Sequence, residues 1–222
     1  MRLASDKLYD AAMRLPVIAF NSFWLIWEFQ GLRSLIGAHP SLDSDWAFFV
    51  QVAARIVLML FLLFLTLLHL VRRRPLRKFD RWQPKIDAVL GLTIGYFALL
   101  LPRPTPSPAW DALSIALIVV GNFFCILIAM DLGRSLSVMP EARRLITEGF
   151  YRRIRHPLYL AEMIAFTGLW VQFRSLTALL LVGAQFFFQI RRMMWEEQIL
   201  AEAFDEYADY RSRSWRLIPG VY

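Results

Sequence analysis

Long apolar runs separated by short polar segments dominate the sequence. A helix rises about 1.5 Å per residue and needs about 20 apolar residues to cross a bilayer, so each run is a candidate transmembrane helix. Proline and glycine occur in most of the connecting segments, as expected where helices end. The pattern therefore predicts an all-α fold, a polytopic transmembrane helical bundle of about six spans. The runs lie at about 15–36, 46–71, 86–101, 110–132, 157–173 and 176–190.

The last two runs are shorter than a full span. Runs of about 16 residues cover only about 25 Å of a hydrocarbon core of about 30 Å. A tight turn at 173–175 joins them, so we expect a short hairpin, tilted or re-entrant. We expect one integral membrane domain over 1–222, divided into a four-span half at 1–132 and a second half at 133–222.

The tail after the last run has a different pattern. Its apolar side chains recur at three- and four-residue spacing, which predicts an amphipathic helix. These side chains are Leu200, Ala203, Phe204 and Tyr207. The other faces are acidic, and 193–210 contains no Lys or Arg. A helix lying on an anionic leaflet is normally basic, so this one is expected to dock on basic loops or hold a cation. A solvated acidic face is the alternative.

The composition excludes an ordinary soluble domain, because 58% of the residues are apolar. The net charge of +7 is concentrated beside the apolar runs, which argues against a nucleic-acid partner. The segments 1–14, 72–85, 133–156 and 191–222 carry 3, 7, 6 and 5 of the 25 basic residues. By the positive-inside rule, both termini and the 133–156 loop are predicted to face the cytoplasm.

Cysteine and histidine contribute little to the predicted chemistry. The single cysteine, Cys125, lies inside an apolar run, so we expect neither an intrachain disulfide nor a thiol catalyst. His39, His69 and His156 are scattered, so no metal site is expected. No Gly-x-Gly-x-x-Gly follows a strand pattern, which argues against a Rossmann cofactor domain.

Polar chemistry is concentrated in a two-part motif. The first part reads Leu-x-Thr-x-Gly-x-Tyr-x-x-x-Arg-His-Pro-x-Tyr. It comprises Leu145, Thr147, Gly149, Tyr151, Arg155, His156, Pro157 and Tyr159, preceded by Gly133-Arg134-Ser135. The second part reads Arg-x-x-x-Glu-Glu-x-x-Leu, an aromatic residue, Tyr-x-x-Tyr and a terminal Ile-Pro. It comprises Arg192, Glu196, Glu197, Leu200, Phe204, Tyr207, Tyr210, Ile218 and Pro219.

This pattern resembles the isoprenylcysteine carboxyl methyltransferase family and its relatives, the phospholipid N-methyltransferases. The resemblance covers 133–222, whereas the first four spans match only in kind. The chain departs from the family pattern at two places. Asp205 stands where a glycine is usual, and Ala161-Glu162 replaces the glycine often found after the second tyrosine.

The resemblance implies an S-adenosylmethionine-dependent membrane enzyme whose cofactor-binding, catalytic half is 133–222. The cofactor's ammonium and sulfonium would meet Glu196 or Glu197. Its carboxylate would meet His156 and the free backbone N–H groups where Pro157 begins a helix. Tyr151 and Tyr159 offer ring faces to the adenine or methylthio end. The implied cofactor site comprises Thr147, Gly149, Tyr151, His156, Pro157, Tyr159, Glu196 and Glu197.

The resemblance also implies that the methyl acceptor is lipophilic and enters from the bilayer, among membrane lipids. The first expectation is a prenylcysteine-like carboxylate, which Arg155 or Arg192 would position. The alternative is the amine of a phospholipid or other lipid, with Glu197 as the base. Two further alternatives are a non-enzymatic membrane scaffold or small transporter and an NADPH-dependent sterol-reductase-like enzyme. Structural roles stay open for three residues: Arg192 as an interface anchor, Tyr159 as a belt tyrosine and His156 as a helix cap.

A buried ion pair is predicted in the first two spans. Charged side chains within a span generally find a partner. Glu28 and Arg55 each lie about 12–14 Å from the outer end of their predicted helices, so they are at the same depth. The alternative is that each side chain snorkels separately or finds another polar partner.

Overall fold

The computed structural model describes residues 9–38, 46–102 and 104–222, which are mostly helical. His39 and the first eight residues lie outside this part of the chain. Two compact units are present, one ending at Arg72 and the other beginning at Arg73. The boundary between these units lies in the basic segment after the second apolar run.

The first unit contains two long helices that pack on each other, α1 (Leu15–Ala38) and α2 (Trp46–Val71). The Asn21 side-chain amide donates to Thr66 Oγ1 at 3.2 Å. Arg55 Nη1 lies 2.7 Å from Glu28 Oε2, which confirms the predicted ion pair. Gly31 leaves room for it, because a Cβ there would lie 2.3 Å from Arg55 Nη1.

The second unit contains five helices and a two-stranded antiparallel sheet in which Arg77 is opposite Ala142. Its elements are β1 (Arg77–Lys78), α3 (Gln83–Thr93), α4 (Pro108–Leu132), β2 (Glu141–Ala142), α5 (Pro157–Phe173), α6 (Leu176–Ala203) and α7 (Tyr207–Ser212). Three 3₁₀ helices connect them, at Ile94–Leu100, Gly133–Ser135 and Gly149–Arg152.

One helix among the described residues is long and apolar enough to cross a membrane, at Pro108–Ser135, and Leu58–Val71 is a shorter apolar helix. Along α4, Ile115, Val119, Phe123 and Met130 are all more than half exposed. This row of apolar side chains is typical of a lipid-facing surface. The structure therefore supports an all-α fold with a membrane-crossing helix, and the number of six spans stays a prediction.

Helices α4 and α5 pack closely through small residues. A Cβ on Gly121 would lie 2.6 Å from the Ala165 backbone nitrogen, and one on Gly168 would lie 2.8 Å from Ile118 Cγ1. Ser114 Oγ donates to the Gly168 carbonyl at 2.9 Å. Close backbone approach of this kind is typical of helices that associate within membranes.

The third predicted span is not one regular helix. The α-helix ends at Thr93 and continues as a 3₁₀ helix from Ile94 to Leu100. The buried Gln185 side chain supports this change, because Oε1 accepts from Gly95 N at 2.9 Å and Nε2 donates to the Gly91 carbonyl. A side-chain amide thus satisfies the backbone groups that the altered helix leaves free.

The turn predicted at 173–175 is confirmed. Arg174 adopts the left-handed conformation with φ 46°, and Ser175 Oγ caps α6 by accepting from Ala178 N at 3.1 Å. The helix that contains the last predicted span extends beyond residue 190, because α6 comprises 28 residues and ends at Ala203. It therefore carries Glu196 and Glu197 in its final turns rather than at the start of a separate tail helix.

The tail itself is not one helix over 193–210. Phe204 turns into an extended conformation, and only α7 follows. The break has a packing reason. Phe204 packs against the cluster that contains Phe79, Ala142 and Ile199, while Tyr207 is directed into the protein and is only 2% exposed. One straight helix would not direct both aromatic rings to these separate sites.

Candidate functional site

The two halves of the motif are joined by backbone hydrogen bonds. Arg155 N donates to the Trp215 carbonyl at 2.8 Å, and His156 N donates to the Arg216 carbonyl at 3.1 Å. Trp215 N donates in return to the Arg153 carbonyl at 2.8 Å. The tail is thereby fixed against the segment that leads into α5.

Glu197 lies at the centre of a charged cluster. Arg155 Nε donates to its Oε1 at 2.9 Å, and Arg216 Nη2 donates to its Oε2 at 2.8 Å. His156 Nε2 lies 3.2 Å from Oε1. Burial alone would raise the pKa of the Glu197 carboxyl, but hydrogen bonds from His156, Arg216 and Arg155 outweigh it and hold this pKa well below its ordinary value. Glu197 is therefore a stable anion and a poor general base.

Glu196 lies on the neighbouring face of α6 and faces a cleft. The Tyr159 hydroxyl donates to Glu196 Oε1, and His156 Nδ1 lies 3.9 Å from Glu196 Oε2. His156 thus has a carboxylate on each side. The His156 and Tyr159 rings are in edge contact, with their centroids 5.5 Å apart.

Arg192 is a buried cation of the cleft wall, as is Arg143, which pairs with Glu141. The Arg192 guanidinium lies over the Tyr159 ring at 4.8 Å from the centroid, and Nη2 donates to the Val138 carbonyl at 3.0 Å. Among the described residues, no hydrogen-bond partner reaches Arg192 Nε or Nη1, although the residue is only 4% exposed. Buried donors without partners are costly, so these N–H groups point to a bound anion.

The cleft lies entirely within the second unit and has a cavity volume of about 110 Å³. Its walls come from the loop after α4, the start of α5, the last turns of α6 and α7. The polar and aromatic residues of the wall include Ser135, Ser137, Glu141, Arg143, Arg144, Tyr151, Arg155, His156, Tyr159, Glu162, Arg192, Glu196, Tyr207 and Tyr210. The first backbone N–H groups of α5 have no partner within the helix, and Leu158 and Tyr159 place them at this wall.

The predicted site residues divide into two groups. Those that line the cleft are Tyr151, Arg155, His156, Tyr159, Arg192 and Glu196. Pro157 is the first residue of α5 and is buried, and Glu197 lies behind His156 and Arg155. Thr147 and Gly149 line a neighbouring hollow with Asp131 instead.

The position of Gly149 has a structural cause. Its φ is 57°, a conformation that favours glycine, and a Cβ there would lie 2.3 Å from Asp131 Oδ2. The glycine of the motif therefore allows the chain to turn close to α4, where Phe150 N donates to Asp131 Oδ2 at 3.3 Å.

Two residues of the candidate site, Arg216 and Glu162, lie outside the two-part sequence motif. Arg216 holds both oxygens of Glu197, and only its place just before Ile218-Pro219 hinted at this. Glu162 lines the cleft. The feature of the sequence that could have revealed it is the presence of a charged residue inside an apolar run. Tyr210 belonged to the motif without a role. Its hydroxyl donates to the Tyr151 carbonyl at 2.7 Å, and burial raises its pKa to about 12.

Comparison with known proteins agrees with the motif. Residues 110–207 match the family model described as phospholipid methyltransferase. A cobalt-zinc-cadmium resistance protein, CzcN, of Cupriavidus metallidurans is 30% identical over 108 residues, which is 48% of this chain and 46% of that protein. The chain thus matches about half the length of this curated relative. The resemblance found in the sequence is confirmed by this match: residues 110–207 are similar to the phospholipid methyltransferase family, which is part of the larger group of isoprenylcysteine carboxyl methyltransferase-like membrane methyltransferases.

Proposed function

We propose that the protein transfers a methyl group from S-adenosylmethionine to a lipophilic acceptor that enters the cleft from the membrane. The observation that carries the proposal is the cleft itself. It combines a carboxylate, a buried guanidinium with unpaired N–H groups, a helix N-terminus and two aromatic rings. This cleft is built largely from the region that matches the methyltransferase family.

The charges of the cleft fit those of the donor. S-adenosylmethionine carries an ammonium, a sulfonium and a carboxylate, and it supplies an electrophilic methyl group when bound. Glu196 is the accessible anion for the positive groups. Arg192 Nε and Nη1, together with the first N–H groups of α5, are the donors for the carboxylate. Tyr151 and Tyr159 provide the apolar ring faces.

We assign Glu197 a positioning role rather than direct contact with donor or acceptor. It holds Arg155, His156 and Arg216 in place, and its lowered pKa makes it a poor proton acceptor. Arg155 is similarly engaged, since its Nη1 donates to the Arg211 carbonyl at 3.0 Å and also to the Ser214 carbonyl. His156 lies between Glu197 on one side and Glu196 on the other, so it connects the charged cluster to the cleft wall.

Two acceptor classes fit the proposal. A prenylcysteine-like carboxylate would need the unpaired N–H groups of Arg192 for the acceptor, which leaves the first N–H groups of α5 for the carboxylate of S-adenosylmethionine. A phospholipid amine is favoured by the family that residues 110–207 match. We further propose that both termini and the cleft face the cytoplasm, because most of the Lys and Arg residues lie on that predicted side.

Isothermal titration of the purified protein with S-adenosylmethionine tests the donor assignment. The parent is expected to bind, and Glu196→Gln is expected to weaken binding at least about tenfold, the loss of one charge-assisted contact. His156→Ala is expected to weaken binding as well, because it removes the ring that lies against Glu196 and Tyr159. Glu202→Gln is the matched control, because Glu202 is 42% exposed at its side chain and pairs only with surface groups. Titration with NADPH tests the alternative of a sterol-reductase-like enzyme, which would bind that cofactor instead. Binding of neither molecule by the parent would favour the scaffold alternative and contradict the proposal.

A further inference from the structure

The inward face of α6 carries a row of polar side chains that continues past the charged cluster. Glu196, Arg192 and Gln189 are spaced by four and three residues, so they share one helix face. Arg192 and Gln189 are only 4% and 0% exposed. From Glu196 to Gln189 the helix advances about 10 Å. The cleft therefore has a second polar level, one helical turn or more away from the Glu196–Tyr159 contact.

Glu162 is the charged group of that second level. It follows Tyr159 by three residues on α5, so both lie on the same helix face. Gln189 Nε2 donates to Glu162 Oε2 at 2.7 Å. Within the described residues Glu162 Oε1 has no hydrogen-bond partner, and Glu162 forms part of the cleft wall. The charged or titratable groups that interact with it are Arg192, Glu196, Tyr96, Cys125, Tyr151 and Tyr159.

A carboxylate inside an apolar helix is costly, and among the described residues the cation that acts on Glu162 is Arg192, which forms no salt bridge with it within 4 Å. Its one contact, with Gln189, orients the carboxylate but does not neutralise it. If Arg192 is engaged by the donor's carboxylate, Glu162 remains the free charge beside the acceptor. An anionic acceptor would be repelled there, whereas an ammonium group would be attracted.

We infer that Glu162 binds the ammonium group of the acceptor and takes its proton, which makes the acceptor a lipid amine. This inference rests on the proposed function. The ammonium proton passes to Glu162 Oε1, which becomes a neutral carboxylic acid, and the nitrogen keeps the electron pair. That pair forms the N–C bond while the S–C bond of the donor breaks and its sulfur keeps the bonding pair. The carboxylic acid then releases its proton to solvent. Gln189 is a positioning residue in this step.

The first experiment measures binding without the donor. A short-chain phosphatidylethanolamine is titrated into the detergent-purified parent, Glu162→Gln and the surface control Glu202→Gln. Glu162→Gln keeps the side-chain size, and its amide still bonds with Gln189. We expect this variant to bind the lipid amine at least about tenfold more weakly than the parent, because it lacks the charge. The control is expected to stay within about twofold. Equal binding by the parent and Glu162→Gln would overturn the inference.

The second experiment measures turnover with labelled S-adenosylmethionine, on phosphatidylethanolamine and on a prenylcysteine analogue with a free carboxylate. We expect the parent to methylate the amine, Glu162→Gln to lose most of this activity and Glu162→Asp to recover part of it. The parent's rate is expected to fall at low pH as Glu162 becomes protonated, and the residual rate of Glu162→Gln is expected to lack this step. Methylation of the carboxylate in preference to the amine would overturn the inference.

The affinity for S-adenosylmethionine distinguishes a failure of this inference from a failure of the proposed function. We expect parent and Glu162→Gln to bind S-adenosylmethionine within about twofold of each other, because Glu162 lies outside the proposed donor contacts. A parent that does not bind the donor contradicts the proposed function, and the lipid-amine titration still tests Glu162 in that case. If the parent binds the donor and the Glu162→Gln variant methylates the amine as fast as the parent, only the inference is contradicted.

Discussion

At the scale of single residues, two adjacent glutamates of the candidate site have different surroundings. Glu196 faces the cleft and accepts from one tyrosine hydroxyl, whereas Glu197 is held by two guanidinium groups and one imidazole. A helix turns about 100° per residue, so adjacent side chains point to different faces. The sequence pattern identified the pair but not this division of roles, because both residues fit the same motif equally well.

The hydrogen bonds to Glu197 predict that the stability of the protein depends on pH. Its pKa in the folded protein lies well below the unfolded value of about 4.3, so folding is favoured by the ionised carboxylate. This contribution is complete above about pH 5 and is lost as the pH falls toward the folded pKa. In thermal unfolding in detergent, the parent should lose stability between about pH 5 and about pH 3 more steeply than Glu197→Gln. Parallel pH profiles for the two proteins would contradict the assigned cluster.

The backbone conformation of Gly149 predicts that a substitution there lowers the stability of the protein. Gly149→Ala forces a side chain into φ 57° and places Cβ 2.3 Å from Asp131 Oδ2, so we expect a loss of about 2 kcal/mol in unfolding free energy. Gly183 is the matched control, because it lies inside α6 and a Cβ added there would have nothing within 4 Å. Gly183→Ala is expected to be neutral or stabilising by up to about 1 kcal/mol, since alanine favours helix. Equal effects in chemical denaturation would show that Gly149 has no special conformational role.

At the scale of elements, hydrophobic pattern predicted positions of helices better than their ends. The turn at Arg174 and the start of α5 at Pro157 agree with the sequence, because proline and a left-handed residue leave clear local signals. The end of α6 left no such signal. Its apolar run stops near residue 190, but the helix continues to Ala203 because its polar residues are satisfied by other segments of the second unit. The hydrophobic periodicity of the sequence contains no information on such tertiary contacts.

The ion pair between α1 and α2 is an element-level prediction that the structure confirms. The Glu28 side chain is 15% exposed and that of Arg55 is 35% exposed, so solvent screens part of their attraction. We expect a double-mutant cycle with Glu28→Gln, Arg55→Gln and both changes to give a coupling energy of about 1 kcal/mol in thermal unfolding in detergent. Strict additivity of the two single changes would show that the contact contributes nothing to stability.

At the scale of the whole molecule, the sequence predicted the helical class, but not the contacts that close the candidate cleft. The hydrogen bonds between Arg155, His156 and the Trp215–Arg216 segment join residues that are far apart in the chain. Arg216 acquires its role only through that pairing, so no local pattern identifies it. The placement of Thr147 and Gly149 in a separate hollow has the same origin, because motif spacing does not tell which side of the loop faces the cleft.

The orientation of the chain in the membrane is the last prediction, and the single cysteine makes it testable. Cys125 is buried, so a Cys125→Ala background allows new cysteines to be labelled one at a time. The charge distribution predicts that Ser212→Cys, near the carboxyl terminus, faces the cytoplasm. Thr105→Cys, in the loop before α4, is predicted to face the other side. Both parent side chains are exposed, so each new thiol is accessible to a water-soluble reagent.

In intact cells, a membrane-impermeant maleimide should label Thr105→Cys and leave Ser212→Cys unlabelled, and permeabilisation should expose both. The physical reason is that Lys and Arg residues beside apolar runs are retained on the cytoplasmic side during insertion. The Cys125→Ala background serves as the unlabelled control. Labelling of Ser212→Cys in intact cells would place the tail, and with it the Glu197 cluster and the cleft that the tail closes, on the outer side. Labelling of both thiols in intact cells would show that the segments between them do not cross the bilayer as predicted.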